Sequence, residues 1–429
     1  MISNKLKIRY IFVILVVFGF SNLSAQIRTN SPYSLFGIGQ VNNSNVNVGS
    51  FAMGGLAYSL RDPLLVNVVN PASYTSFEMS SFVFDGGFNM SLLSLKTNEV
   101  TENNNLASLS YLTFGLPVTS WWKSSFGLLP FSDVGYNISE DHHLENIGNI
   151  QYLNKGDGGI NQVYWGNAFK IGKNLSIGVN AKYLFGTIDK TRAISFPDSI
   201  NILNTNIQNS LVTSDFYFTF GLQYEKQFKK DFIFGAGLIY STSTKINARK
   251  ETLVRSYYGS LSNVEQWRDT ISFIPDDKGN YVIPVNIGGG ISFQKRDKWL
   301  IGADITWQKW EDYSSFGVDD SLQNSLDVSL GGQFIPDKYS IFSYWEKVNY
   351  RFGLRYSESY LQLYEHQINE LGISIGMGLP LWKTKSTFNF GIEFGTKGTT
   401  LDKLIQENYI RFTFGIAFYQ NWFVKRKYQ

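Results

Sequence analysis

Histidines beside acidic residues are the first candidates for a chemical site in this sequence. Asp141, His142 and His143 are followed by Glu145, and imidazole and carboxylate groups of this kind can bind a cation. His366, the third histidine, stands far away in the chain. All three fall in predicted surface loops, where a solvated cluster is several times more common than a metal site. The sequence therefore predicts no metal centre.

Other catalytic patterns are missing from the sequence. It has no nucleophile elbow, no phosphate-binding glycine loop and no His-Glu-x-x-His run. With no cysteine there is no disulfide framework and no thiolate metal site. A hydrolase would need a Ser, a His and an acid placed together in space, which the sequence does not decide. We expect a protein that is not an enzyme, has no cofactor and binds no nucleic acid, because its basic residues are scattered.

A second group of candidates consists of charged residues that alternate with apolar ones. If the apolar residues face lipid, these charges share one interior, where an unpaired charge is costly. One interpretation is a salt-bridge network that braces the wall, and the less favoured one is contact with a substrate. The group comprises Lys182, Asp215, Asp304, Arg351, Arg355, Glu393 and Arg411.

The elements that position these charges show a two-residue period. In the segment 410–418, five large apolar residues alternate with Arg411, Thr413, Gly415 and Ala417. This alternation is typical of a strand with lipid on one side and a polar lumen on the other. It recurs from about residue 80 onwards, in a chain with 16% aromatic residues. The fold class is all-β: a transmembrane antiparallel β-barrel, the only sheet without open edges in hydrocarbon.

About fourteen strands are predicted, an even number as in bacterial single-chain barrels. Short turns that carry Lys alternate with long loops that hold much of the acid, and we assign the short turns to the periplasm. One turn, at 337–346, is unusually long and is expected to contain a short strand or helix. The strands are predicted near 80–97, 106–118, 125–140, 159–170, 174–189, 213–227, 231–246, 282–295, 298–311, 325–336, 347–358, 370–380, 385–397 and 409–419.

The N-terminus agrees with export. Lys5, Lys7 and Arg9 precede an apolar run too short to cross a membrane as a helix, so residues 1–25 are predicted to be a signal peptide. The predicted domains are then a segment at 26–79, the barrel at 80–419 and a periplasmic extension at 420–429. The predicted location is the outer membrane, and outer-membrane lipid is the expected partner.

The segment before the barrel lacks sustained alternation but contains two distinctive stretches. Asn70, Pro71 and Ala72 should form a defined turn, because Pro71 fixes its own φ and restricts the residue before it. Phe51, Met53, Gly54 and Gly55 belong to the other stretch, in which the glycines permit close backbone approach or positive φ. An ordinary turn and a moving gate are equally compatible with these residues.

These motifs, placed before fourteen strands, resemble the FadL family of outer-membrane transporters for long-chain fatty acids and other hydrophobic compounds. The opening Ser31-Pro32-Tyr33-Ser34 and the tail after Asn421 look more like a Bacteroidota branch. The resemblance implies that the N-terminal segment folds inside the barrel as a hatch. It also implies a kink in the third strand that opens the wall sideways, and Pro130 falls where this kink would be. A proline near the rim of the strand is the equally weighted alternative.

Two functions remain open, because function resides in sites placed on a scaffold. The first is passive transport of a hydrophobic small molecule through the lumen and past the hatch. The second is a non-transporting accessory subunit of a larger outer-membrane complex for secretion or barrel assembly, with other outer-membrane proteins as partners. A continuous apolar pocket would favour the first function, and co-purification with envelope proteins the second.

Overall fold

The computed structural model is a closed antiparallel β-barrel. It describes residues 29–42, 46–145, 147–199, 202–229, 231–258 and 266–422. Closure is made by the last strand, which pairs with the first from Asn421 opposite Ser81 to Gln406 opposite Lys96. Every strand is therefore paired on both sides over at least part of its length, and the predicted barrel of about fourteen strands is confirmed.

The barrel strands are numbered in chain order, and two of them are each interrupted by two residues. They are β1 Ser81–Lys96, β2 Thr101–Pro117, β3 Trp122–Leu144, β4 Gly148–Ile171, β5 Leu175–Ser195, β6 Asn204–Phe228, β7 Phe232–Ser241 with Thr244–Tyr258, β8 Gln266–Ile283 with Asn286–Lys295, β9 Trp299–Gln308, β10 Ser325–Phe334, β11 Asn349–Leu363, β12 His366–Pro380, β13 Thr387–Lys397 and β14 Gln406–Asn421.

Helices are few and short. An α-helix, α1, covers Val48–Phe51, and 3-10 turns cover Pro32–Leu35, Pro71–Ser76, Trp310–Asp312, Trp345–Lys347 and Leu401–Lys403. The turn at Trp345–Lys347 lies in the connection after β10, where a short element was expected. No helix in the described part of the chain is long and apolar enough to cross a membrane.

The two faces of each strand follow the sequence pattern. On β14, Phe414 and Phe418 are exposed on the outer surface, whereas Thr413 and Ala417 are buried. On β13, Phe388 and Phe394 are exposed and Glu393 is buried. Because successive side chains of a strand point to opposite faces, the apolar set faces lipid and the polar set faces the lumen.

The strand ends differ from the predicted ones at one end of the barrel. The connections 118–121, 172–174, 296–298 and 381–386 are short, and this end is called the short-turn end. At the opposite end, the long-strand end, the segments predicted as loops at 141–158, 190–212 and 247–281 are largely continuations of β3 to β8. Where these hairpins extend beyond the membrane, both faces of each strand contact water. Polar residues then occur on both faces and obscure the two-residue period of the strand.

Two terminal predictions lie outside the described residues. These are the signal peptide at 1–25 and all but the first residues of the extension at 420–429, since β14 itself continues to Asn421.

Residues 29–42 and 46–77 fill the lumen and are called the hatch. A two-residue strand in it, Gln40–Val41, pairs with Asp133 and Ser132 of β3. The helix α1 packs against β12, β13 and β14. An apolar cluster at the long-strand end joins hatch residues to the wall and to two connections, through Tyr33, Ile38, Val134, Leu184, Tyr313 and Leu404 among others. The predicted hatch inside the lumen is confirmed.

Candidate functional site

The wall is split between β2 and β3. These strands pair only from Pro117 opposite Lys123 to Leu112 opposite Leu128. Beyond that point β2 continues to Thr101 and β3 to Leu144, without pairing to each other. Pro130 lies just past the last pair, at a shift in the register of β3 against β4. The geometry therefore places Pro130 at the start of the split.

Glycines allow the wall to bend inward beside the split. Gly158 and Gly159 of β4 have φ values of 101° and 154°, and Gly186 of β5 has 158°. A side chain at Gly186 or Gly159 would meet the backbone of the neighbouring strand. On β3, residues 131–136 are buried on both faces. A strand of the wall would expose one face, so this part of β3 has left the wall and covers the hatch.

The hatch is held against the wall by a ring of glycines, here called the glycine belt. Each of these glycines faces a hatch residue so closely that a Cβ atom there would collide with it or, at Gly302, lie only 3.2 Å from it. The pairs are Gly415 with Val48, Gly391 with Phe51, Gly376 with Ala52, Gly353 with Gly54, Gly331 with Met53, Gly302 with Leu56, Gly288 and Gly237 with Tyr58, Gly221 with Asn70, Gly178 with Ala72, Gly166 with Tyr74 and Gly115 with Phe77.

The belt fixes the path of the hatch around the inside of the barrel. Residues 48–58 contact the strands from β14 to β7 in descending order, and residues 70–77 contact β6, β5, β4 and β2. The hatch therefore runs around the lumen in the direction opposite to the strand order. Because the hatch contacts twelve strands in this way, it cannot leave the lumen as one piece without losing all of these contacts.

The segment Asn70-Pro71-Ala72 is part of this ring. The Asn70 amide accepts a hydrogen bond from the backbone N–H of Ala72 at 3.1 Å and caps the 3-10 turn that begins at Pro71. Its Nδ2 atom donates to the carbonyl oxygen of Tyr58 at 2.7 Å. The side chain is fully buried. Asn70 thus joins two parts of the hatch, and whether this turn ever moves stays a prediction.

The second stretch follows α1. Gly54 and Gly55 have φ values of 72° and 91°, a conformation that glycine adopts readily. The Gly54 N–H donates to the Ser374 hydroxyl of β12 at 2.9 Å. Phe51 and Met53 are buried against the wall. These four residues hold the hatch to β10–β13, and their role as a gate also stays a prediction.

Three of the seven predicted luminal charges form one cluster. Arg355 pairs with Glu393 at 3.0 Å, and Arg411 pairs with the same carboxylate at 3.3 Å. Glu370, which the sequence analysis did not identify, accepts from Arg355 at 2.7 Å and from the Tyr409 hydroxyl at 2.7 Å. Opposite charges in hydrogen-bonded contact satisfy one another, so this cluster braces β11 to β14.

The other predicted charges lie apart from this cluster. Asp304 accepts from the backbone N–H groups of Ala57 and Tyr58, at 2.6 and 3.0 Å, and so anchors the hatch. Arg351 donates to Gln333 and Asn389, both at 2.8 Å.

Asp215 and Lys182 each contact other residues of the barrel wall. Asp215 accepts from Asn247 where the pairing partner of β6 changes from one half of β7 to the other. Lys182 is placed over the ring of Tyr217, 5.6 Å from its centroid.

Two cavities in the described part of the chain lie between hatch and wall. One, of about 140 Å³, is lined by apolar residues such as Leu129 and Phe131 together with Lys182 and Asp304. The other, of about 180 Å³, lies beside the split and is lined by Ser108, Ser110 and much of the charged cluster, including Glu370 and Lys397. Both are smaller than the roughly 300–1,000 Å³ of common ligand pockets.

The histidines do not converge. His142 and His143 lie on β3 rather than in a loop, where their rings contact Glu140 and Asn149. His366 opens β12 and contacts Asp402 at 2.8 Å. Within the described ranges, no three His, Asp or Glu residues are arranged to hold a metal ion.

Comparisons with known proteins agree with this architecture. A family model described as BamG matches residues 7–429. No curated protein sequence matches the chain. Among solved structures, the chain is similar to the CymD monoaromatic hydrocarbon channel, with a TM-score of 0.58 and 13% identity over 88% of this chain and 98% of that one.

Two further solved structures give the same result. The Ralstonia pickettii toluene transporter TbuX has a TM-score of 0.54 and 14% identity, over 88% of this chain and 99% of that one. A Pseudomonas aeruginosa FadL homologue has a TM-score of 0.58 and 10% identity, over 88% and 98%. At these identities the likeness establishes a FadL-like outer-membrane fold.

Proposed function

The chain belongs to the BamG family, and from this premise we propose that it is a non-transporting subunit of a larger outer-membrane complex for secretion or barrel assembly. The observation that carries the proposal is the glycine belt, because it holds the hatch against twelve strands. A transporter needs a plug that moves or a path past it. Here the hatch, the apolar cluster and the inward-bent part of β3 occupy the lumen.

A disulfide that locks the hatch tests this proposal. The hydroxyl oxygens of Thr75 in the hatch and Ser176 of β5 lie 2.7 Å apart, so cysteine sulfurs at these two positions would lie near the roughly 2 Å of a disulfide bond. The chain has no cysteine of its own, so the pair would be unique. We expect cells that carry only the Thr75→Cys, Ser176→Cys protein to keep normal levels of other surface and outer-membrane proteins, whether the bond is oxidised or reduced.

The single-cysteine variants Thr75→Cys and Ser176→Cys are the matched controls. Depletion of the protein should lower the levels of other surface proteins, and the oxidised double variant should restore them. Loss of this restoration on oxidation, with recovery after reduction, would mean that the hatch moves during function. No change in surface proteins on depletion would remove the accessory function altogether.

A second candidate function, passive transport of a hydrophobic molecule, is favoured by the split at Pro130 and by the neighbouring apolar-lined cavity. The similar structures include a toluene transporter and a hydrocarbon channel. Under this function, Pro130→Val should slow uptake of an aromatic hydrocarbon without lowering barrel abundance. Deletion of residues 51–57 should raise nonspecific permeability. Unchanged uptake in both variants would exclude transport through this route.

A further inference from the structure

A group of large apolar side chains projects from the short-turn end of the barrel. In the connection between β10 and β11, Ile341 is 83% exposed and Phe342 is 95% exposed. Trp382, in the turn between β12 and β13, is 80% exposed. Tyr339 and Trp345 are exposed as well. These five residues, carried by two turns that the Tyr344–Pro380 hydrogen bond joins, are called the apolar tip, and a group of exposed apolar side chains of this kind usually marks an interaction site.

The connection that carries the tip is held in place. The backbone N–H of Asp337 donates to the carbonyl oxygen of Glu346 at 2.8 Å and closes the loop. Lys338 pairs with Asp297 of the β8–β9 turn at 2.6 Å, and the Tyr339 hydroxyl donates to the same carboxylate at 2.8 Å. A segment that is already ordered loses little entropy when a partner binds it.

A further bond ties the other side of this connection. The Tyr344 hydroxyl donates to the carbonyl oxygen of Pro380 at 3.1 Å. The loop is thus anchored to the turns on either side of it. Its tip therefore presents a fixed apolar surface.

The base of the loop lies beside the barrel mouth. Burial lowers the pKa of Lys338, but its hydrogen bond and charge interaction with Asp297 outweigh this and the pKa is raised. Lys338 is therefore held against the β8–β9 turn at the short-turn end of the barrel.

Position and exposure separate the tip from lipid. On the lipid-facing wall, neighbouring strands cover part of each side chain, so that even Phe88 and Trp165 are only 61% exposed. Phe342 is covered by almost nothing and belongs to a loop anchored at the mouth. We therefore expect the tip to contact a macromolecule at the short-turn end of the barrel rather than the lipid around the barrel.

The charges near the tip indicate the chemistry of that binding partner. Lys347, two residues after Trp345, and Lys383, next to Trp382, form no ion pair with any carboxylate in the described part of the chain. A partner with an apolar centre and acidic residues at its rim would match these lysines.

From these observations we propose that the apolar tip docks a periplasmic protein through an apolar pocket with an acidic rim. The proposal rests on the accessory function above and adds to it the place and the chemistry of one contact. Exposed aromatic side chains at the centre of an interface carry much of the binding energy, with charges at the rim.

A photo-crosslinking residue at position 342 of the full chain, in native outer membranes, tests the docking. We expect one protein adduct, identified by mass spectrometry as a periplasmic or periplasm-facing protein. Ile341→Ser should reduce the adduct at least tenfold, and so should Lys347→Glu with Lys383→Glu. The same crosslinker at Trp121, an exposed residue of the β2–β3 turn, is the matched control and should not give this adduct.

Three outcomes overturn the inference: lipid adducts alone, adducts with a second copy of this chain alone, or a protein adduct that persists in the charge-reversed variant. Absence of any adduct overturns it too. The unheated electrophoretic mobility of each variant shows whether the barrel has folded. If Phe342→Ser leaves an outer-membrane complex intact, the docking fails while the accessory function stands. If the unmodified protein purifies alone, the accessory function fails.

Discussion

The glycine belt predicts that one methyl group at a luminal glycine destabilises the whole barrel. In Gly237→Ala the new Cβ atom would overlap the carbonyl group of Tyr58 and lie 2.9 Å from the Ser59 nitrogen. These are backbone atoms, so no side-chain rotation relieves the overlap. The Tyr58 oxygen also accepts hydrogen bonds from Asn70 at 2.7 Å and from Gln223 at 2.8 Å, and a shift of the hatch would stretch both.

The magnitude follows from three contributions. Overpacking costs about 1–3 kcal/mol, and weakening two hydrogen bonds costs about 0.5–1.5 kcal/mol each. Replacing glycine by alanine in a strand gains about 0.5–1 kcal/mol. We therefore expect Gly237→Ala to lower the free energy of unfolding by about 1–5 kcal/mol.

The matched control is Gly289→Ala on the neighbouring strand β8. Its new Cβ atom would meet only the end of the Leu238 side chain, at 3.1 Å, so its stability should stay equal or rise by up to about 1 kcal/mol. Urea unfolding in detergent, followed by tryptophan fluorescence, measures both variants. Equal destabilisation of the two variants, or none in Gly237→Ala, would refute the belt as the element that fixes the hatch.

Three further predictions follow from the site. Arg355→Met leaves Glu370 without its cationic partner and Glu393 with Arg411 alone, and should cost about 3–5 kcal/mol in urea unfolding, whereas Arg249→Met, at an exposed pair, should cost less than about 1 kcal/mol; similar losses would contradict the brace. Asn70→Ala should cost about 1–3 kcal/mol and make the hatch sensitive to added protease, and an unchanged digestion pattern would argue against its anchoring role. A cysteine at Asp319 should react with an impermeant maleimide on intact cells and one at Lys229 should not, and the reverse labelling would invert the orientation.

Much of the fold could be predicted because a lipid-facing strand has a strong two-residue signal. Phe414 and Phe418 alternate with small or polar residues, so the face and the approximate limits of β14 followed directly. The upper parts of β3 to β8 were not recognised. Around Asn149 and Asn209 polar residues occur on both faces of the strands and interrupt the apolar alternation, so such strands resemble loops in the sequence.

The candidate site was predictable only in part. Arg355, Arg411 and Glu393 were identified because each alternates with apolar residues, but Glu370 was overlooked. The belt was also overlooked, although a glycine recurs at one luminal position on most strands, as at Gly221 and Gly391. The sequence around a strand glycine does not show which residue packs against it. Its meaning depends on a second segment far away in the chain, which no local pattern specifies.

The reversed course of the hatch has a consequence for how the molecule is made. The hatch is synthesised before any strand, yet Ser31 bonds to Glu407 at 2.5 Å across 376 residues of chain. Contacts so distant in sequence form late, because the entropy of closing the intervening loop must be overcome first. The hatch can therefore complete its docking only after β14 has arrived. A chain that stops short of its last strand should lose the docking of residues 29–42 and 46–77 together with the closure of its wall.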